Sequence, residues 1–297
     1  MKKNAYPLVS IGVPVYESAR LVPKLIKSLK SQDYPNFEVV VSDNCSNDMT
    51  HTSLLSEIAN DSRFRVFRQS KNIGAMNNFL FVLEKSHGEF FTWNAADDYR
   101  ENNWISINVF ELSKNTRSVA SFSRSYFEFD SIKSPIYSFT LEGNQKSRII
   151  SFFSAARSSN PIFYSLARKS VIDKFAKSKK EYKAWDWNFN LQLILAGPIL
   201  FNTSSSMIFG TKGASRVSNF TTGLSQGYRI NEANYSRFSI NALKSCRGLK
   251  FKEYNLILRY LIKINIREIY VLISRNLLKF PKTRVFLIKI INFRKNF

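Results

Sequence analysis

A chain of 297 residues that is 44% hydrophobic and 14% aromatic carries enough apolar mass for a full core and one or two domains, which excludes a disordered chain. Its 44 Lys and Arg against 22 Asp and Glu leave a net charge of +22, which calls for an anionic partner: nucleic acid, anionic lipid or a phosphorylated substrate. Cys45 and Cys246 are too far apart to form a metal-ligand pair, and His51 and His87 lack zinc spacing and read as ordinary surface residues. The first residues hold no secretory apolar core, and no uncharged run is long enough to span a bilayer. The expectation is a reducing, cytoplasmic setting.

Residues 8–16 read as a buried strand, with Pro14 expected to stop its ladder. Leu21, Leu25, Ile26 and Leu29 then repeat at helical spacing, and Pro23 fits near the helix start. A turn at residues 32–36 leads into a second strand at 37–42. The polar loop that follows is rich in residues that cap a helix, and a short helix over 51–60 comes next. A third strand is predicted at 64–67, and a third helix opens at Asn72-Ile73-Gly74 and runs to about Lys85. Residues 89–94 form an apolar run that ends in the adjacent carboxylates Asp97 and Asp98. Strand and helix thus alternate three times, which implies a parallel sheet with right-handed crossovers. The loops after strands one, two and four then fall at one sheet edge, where a nucleotide-sized ligand fits. No Gly-rich phosphate loop is present, so phosphates at this edge would need a cation, and Asp97 and Asp98 are suited to hold a hard divalent one. A surface turn is the bland alternative for that pair.

Four motifs in order resemble the family 2 glycosyltransferases: Val9-Ser10-Ile11-Gly12-Val13-Pro14-Val15-Tyr16-Glu17, Val41-Ser42-Asp43-Asn44-Cys45-Ser46-Asn47-Asp48, Asn72-Ile73-Gly74-Ala75-Met76-Asn77-Asn78 and Trp93-Asn94-Ala95-Ala96-Asp97-Asp98. The resemblance covers about residues 8–215. It implies a GT-A fold, an α/β architecture with a mostly parallel central sheet flanked by helices. It further implies a nucleotide pocket lined by Pro14, Tyr16, Glu17, Asp43 and Asn72, with Asp43 on the base edge, and an Mg2+ or Mn2+ ion at Asp97 and Asp98. Ala95 stands where the family's metal motif has its first carboxylate. Asn44 and Cys45 replace the family's second Asp and its Gly.

The second half matches less tightly. Residues 119–129 alternate enough to form another strand, and residues 160–168 resemble the family's strand before its acceptor-site helix. Asp186, between Trp185 and Trp187 at the start of an apolar helix, matches the family's catalytic base. A carboxylate there also suits the helix macrodipole, and the two Trp residues suit a sugar face or a core equally. Residues 209–216 resemble the loop that closes over the diphosphate. It has no His, so Lys212 and Arg216 are placed to contact phosphate directly.

From Lys244 to Phe297 there are 14 basic and 2 acidic residues, +12 of the total +22. Arg259, Lys263 and Arg267 recur on one helix face, and Leu258, Ile262, Ile266, Ile269 and Ile273 form an adjacent apolar face. This pattern reads as a basic amphipathic tail (244–297) after a catalytic domain (1–243). The tail would rest on an anionic membrane, at the inner face of the plasma membrane, or else complete the core. No nucleic-acid motif is present. Together the residues and the resemblance imply an inverting transferase that moves a sugar from a nucleotide-diphosphate donor, with a UDP-sugar expected. The acceptor would be a saccharide or lipid-linked hydroxyl in surface-polysaccharide synthesis. A nucleotidyltransferase and a non-catalytic nucleotide-sugar binding protein remain as alternatives. The first lacks its usual phosphate loop over residues 12–20, and Ala95 keeps the second open.

Overall fold

A computed structural model describes residues 6–136, 141–155, 160–175, 184–210, 236–246 and 249–277. The first half folds as the alternation requires. β1 (Val9–Val15), β2 (Phe37–Asp43), β3 (Phe64–Arg68) and β4 (Phe90–Trp93) lie side by side in parallel, in the order β3-β2-β1-β4. Helices α1 (Val22–Lys30), α2 (Thr50–Ile58) and α3 (Ala75–Glu84) are the crossovers. α1 buries Val22, Leu25, Ile26 and Leu29, one face at the spacing of a 3.6-residue turn. These side chains join Val9, Ile11, Val13, Val39 and Val41 in the main core.

Pro14 does not end β1. The pairing with β2 continues to Val15 opposite Asp43, whereas the pairing with β4 stops at Gly12 opposite Trp93. The Gly12 carbonyl accepts the Asn94 N–H at 2.9 Å, so by strand alternation Pro14 also turns toward β4, beyond its last paired residue. The missing proline N–H therefore costs no ladder bond.

The second half adds short antiparallel strands to the parallel set and one further parallel ladder. β5 (Tyr99–Arg100) follows the carboxylate turn directly, and α4 (Trp104–Lys114) leads to β6 (Ala120–Phe129) and its short partner β7 (Ile132–Pro135). After α5 (Gln145–Ala155) the segment expected as a strand over 160–168 is half helical. α6 takes Asn160–Phe163, and only Leu166–Arg168 forms a strand, β8. The short α7 (Lys169–Ile172), α8 (Trp185–Ala196) and β9 (Ile199–Phe209) complete the sheet, whose order is β3-β2-β1-β4-β8-β6-β9-β5 with β7 beside β6. β8 runs antiparallel to both β4 and β6, β5 runs antiparallel to β9, and β6 with β9 forms the further parallel ladder.

The chain divides into two compact units, Met1–Glu181 with Trp185–Thr222, and Tyr182–Ala184 with Gly223–Phe297. The second unit holds α9 (Ser236–Ser245), which crosses residue 244, and α10 (Phe251–Leu277). Asn265 Nδ2 of α10 donates to Ser239 Oγ of α9 at 2.8 Å. No helix of the described residues is long and apolar enough to cross a membrane.

Candidate active site

The carboxyl ends of β1, β2 and β4 meet at one edge of the sheet, and loops tie them to one another there. Asp43 closes β2 and is completely buried. Its Oδ1 accepts the Ser46 N–H at 3.0 Å and the Ser46 hydroxyl at 2.6 Å. Its Oδ2 lies 3.7 Å from His51 Nδ1 and 3.6 Å from Arg68 Nε, yet has no hydrogen-bond partner among the described residues. A buried carboxylate oxygen without a donor is expensive, so this atom is poised to receive one from a ligand. His51, read from sequence as an ordinary surface residue, is part of this pocket, as is Arg68, which also donates to the Ser46 carbonyl at 3.1 Å.

The neighbouring motif residues act mostly as straps. Glu17, held at a positive φ of 48°, accepts the Asn47 N–H at 2.9 Å on Oε1, and its own N–H donates to Ser46 Oγ. Tyr16 beside it is exposed at the pocket rim. Asp48 accepts the Thr50 N–H at the start of α2 and the Ala19 N–H after β1. Desolvation works to raise its carboxyl, but the Thr50 hydroxyl and these N–H groups together hold it below the usual range. Asn44 donates through Nδ2 to Asn72 Oδ1 at 3.0 Å and accepts the Ile73 N–H at 2.9 Å. An Asp at position 44 could still accept the Ile73 N–H but could not donate to Asn72, so the departure from the family pattern adds one bond to the link between β2 and the start of α3. Gly74 begins α3 at a φ of 84°, a conformation that side chains rarely adopt.

At the end of β4 the buried Asn94 donates to the carbonyls of Ala95 (2.8 Å) and Asp98 (3.0 Å), which folds residues 94–98 into a tight turn. Arg100, also buried, braces the turn from below. Its Nε donates to Asn94 Oδ1 at 2.9 Å, its Nη2 donates to Thr92 Oγ1 and the Trp93 carbonyl, and its guanidinium lies 4.0 Å from the Trp104 ring centroid. Asp98 is buried and accepts the Gly210 N–H at 3.0 Å. Burial, and then the charge of Asp97, push its carboxyl up to about 8, against the pull of that N–H and of Arg100. A Cβ on Gly210 would meet the Asp97 carbonyl oxygen at 2.4 Å, so only glycine lets the end of β9 close on the turn. Among the described residues no group of three or more His, Cys, Asp or Glu is assembled as a metal cage. What the turn offers is two adjacent carboxylates whose repulsion a bound cation would relieve.

Asp186 lies in the first turn of α8, as its sequence context implies. Desolvation pushes its carboxyl up to about 6, opposed by the N–H groups of Trp187 and of Asp186 itself. Trp185 is half-buried and packs its ring 5.5 Å from that of Phe79 and 5.3 Å from that of Phe163. Tyr164 connects the parts of the site. Its carbonyl accepts from Thr92 Oγ1, its ring lies 5.3 Å from that of Phe209, and burial raises its phenol well above the usual range. The charges of Asp98, Asp97 and Asp186 add to that rise. Lys212 and Arg216 lie outside the described residues.

Residues 10–209 match the model of the family described as Glycosyl transferase family 2. The chain belongs to this family. The Escherichia coli K12 protein "Putative colanic acid biosynthesis glycosyl transferase WcaA" is 31% identical to this glycosyltransferase over 107 residues, 36% of this chain and 38% of that protein. The Staphylococcus aureus "Poly(ribitol-phosphate) beta-N-acetylglucosaminyltransferase TarS" is 36% identical over 93 residues, 30% of this chain and 16% of that protein. The match spans about a third of the length of the first curated relatives. Among solved structures, S. aureus TarS 1-349 in complex with UDP-GlcNAc superposes with a TM-score of 0.64 at 18% identity, covering 86% of this chain and 71% of that one. The Pyrobaculum calidifontis mannosyltransferase PcManGT, in complex with GDP-Man and Mn2+, gives a TM-score of 0.53 at 13% identity, covering 95% and 83%. These likenesses establish the GT-A fold.

Proposed function

We propose that this glycosyltransferase is an inverting, metal-assisted enzyme that moves a sugar from a UDP-sugar to a hydroxyl of a saccharide or lipid-linked acceptor in polysaccharide synthesis. The observation that carries this reading is that Asp97 and Asp98 follow β4 at the sheet edge where β2 ends in the buried Asp43, one oxygen of which accepts no hydrogen bond among the described residues. Asp43 Oδ2 accepts the uracil N3–H, and Pro14, Tyr16, Glu17 and Asn72 shape the pocket around the base and ribose. Asp97 and Asp98 are the residues that would hold an Mg2+ or Mn2+ ion. When bound, the ion neutralises the charge that develops on the departing nucleoside diphosphate. Lys212 and Arg216 add direct phosphate contacts. Asp186 takes the proton from the acceptor hydroxyl as that oxygen attacks the anomeric carbon. A single displacement with one base inverts the anomeric configuration. The bound donors named for TarS and PcManGT, and the colanic acid role named for WcaA, support the donor class and the polysaccharide setting. A lipid-linked acceptor places the reaction at an anionic membrane surface, on the cytoplasmic side where nucleotide-sugars are made.

The nucleotide assignment is tested at Asp43. Asp43→Asn retains an acceptor for Ser46 but turns an amide donor toward the base N–H. UDP affinity measured by calorimetry is expected to fall about tenfold or more. CDP, whose ring N3 is an acceptor, is expected to bind wild type far more weakly than UDP. Equal affinity for UDP and CDP, unchanged in the variant, would place the base elsewhere.

A further inference from the structure

α10 is 27 residues long, about 40 Å at the helical rise, and presents a mixed face to solvent. Lys252, Leu256, Arg259, Lys263 and Ile266 are all exposed and recur at spacings of four, three, four and three, one stripe along the helix. Phe251 and Ile262 flank it. Phe251 is 82% exposed, Ile266 60%, Leu256 50% and Ile262 49%, so four large apolar side chains project into water beside three cations. The opposite side is satisfied: Ile257, Leu261 and Ile264 are buried. The one acid in this part of the helix, Glu253, is half-buried off the stripe and accepts the Lys250 N–H at 3.2 Å. Over residues 251–266 the outward face therefore carries cations and apolar groups and no carboxylate. Of the residues placed on this side by sequence periodicity, Arg259, Ile262, Lys263 and Ile266 are exposed, whereas Leu258 is turned partly inward.

We propose that this face of α10 is a docking surface for an anionic lipid bilayer, with the helix lying in the plane of the interface. Alternating cations and apolar side chains match the two layers that such a helix meets, phosphate headgroups and the first acyl carbons. A nucleic-acid surface would use the cations but would leave Phe251, Leu256, Ile262 and Ile266 unexplained. The proposal deepens the reading of an enzyme that works at a membrane, but it stands on exposed residues of α10 that are not among the catalytic carboxylates.

The test is co-sedimentation of the full chain with vesicles, without donor or acceptor. Wild type is expected to pellet with vesicles of equal phosphatidylglycerol and phosphatidylcholine, to bind pure phosphatidylcholine weakly, and to be released as salt rises toward 1 M. Lys252→Gln/Arg259→Gln/Lys263→Gln is expected to lower the partition coefficient about tenfold or more. Leu256→Ser/Ile262→Ser/Ile266→Ser is expected to lower it as well. All six positions are exposed, so both variants fold, which circular dichroism checks, and UDP affinity in the same samples stays at the wild-type value. Failure of wild type to pellet with anionic vesicles, or wild-type partition by both variants, would overturn the proposal. Binding lost in the Gln variant but fully kept in the Ser variant would also overturn it, since the face would then recognise polyanions as such. The donor-site reading stands or falls separately, on UDP affinity.

Discussion

Asp186→Asn is expected to lower turnover by about a hundredfold or more and to leave donor affinity near the wild-type value. Asn keeps the size of the side chain and its ability to serve the first turn of α8, so basicity is the main property removed. The pH dependence gives the same test without a mutation. A base must be ionised, and burial pushes this carboxyl up to about 6, so kcat/KM of the wild type should fall as the pH drops through about 6. The stability sign is opposite. The fold holds the Asp186 proton up to a higher pH than the unfolded chain does, so ionising it lowers stability as pH rises from about 4 to about 6. The Asn variant escapes that loss. Its melting temperature should match or exceed wild type at pH 7.5, with the gain gone below about pH 4. A variant that loses donor affinity but keeps turnover would make Asp186 a binding group and not the base.

Asp97→Ala is expected to abolish transfer and to weaken nucleoside diphosphate binding while leaving the fold intact. Bonds from Asn94 and Arg100 and the Asp98 contact with Gly210 shape residues 94–98, and the substitution leaves these in place. Removing one of two carboxylates from a divalent site should also erase the dependence of UDP affinity on Mn2+, read by titrations with and without the ion. The thermal midpoint should move little, because Asp98 then loses a like charge beside it. Full activity in the variant would show that Asp97 holds no cation.

Much of this was legible in the sequence because it is local. Strand and helix periodicity gives the parallel half, and four motifs in order place their residues at the strand ends that the topology brings together. The antiparallel half was harder. β8 is three residues long and β5 two, too short for any alternation, and both depend on partners more than forty residues away. The same holds for the supporting side chains. Arg100 reads as one more basic residue in a basic chain until the fold places it beneath the carboxylate turn, and His51 and Arg68 reach Asp43 from two different elements. Ala95 looks like a lost ligand in isolation, but the turn around it is held by Asn94 through backbone carbonyls, so its geometry does not need a carboxylate at that position.

The most direct test of sugar transfer at this edge is a panel of nucleotide-sugars with the purified full chain and Mn2+. Release of nucleoside diphosphate is followed for wild type beside Asp186→Asn. The expected result is release from one or more UDP-sugars by wild type and almost none by the variant, with UDP bound equally by both. Release of pyrophosphate from a nucleoside triphosphate and a sugar phosphate, or equal release by the two proteins, would contradict it.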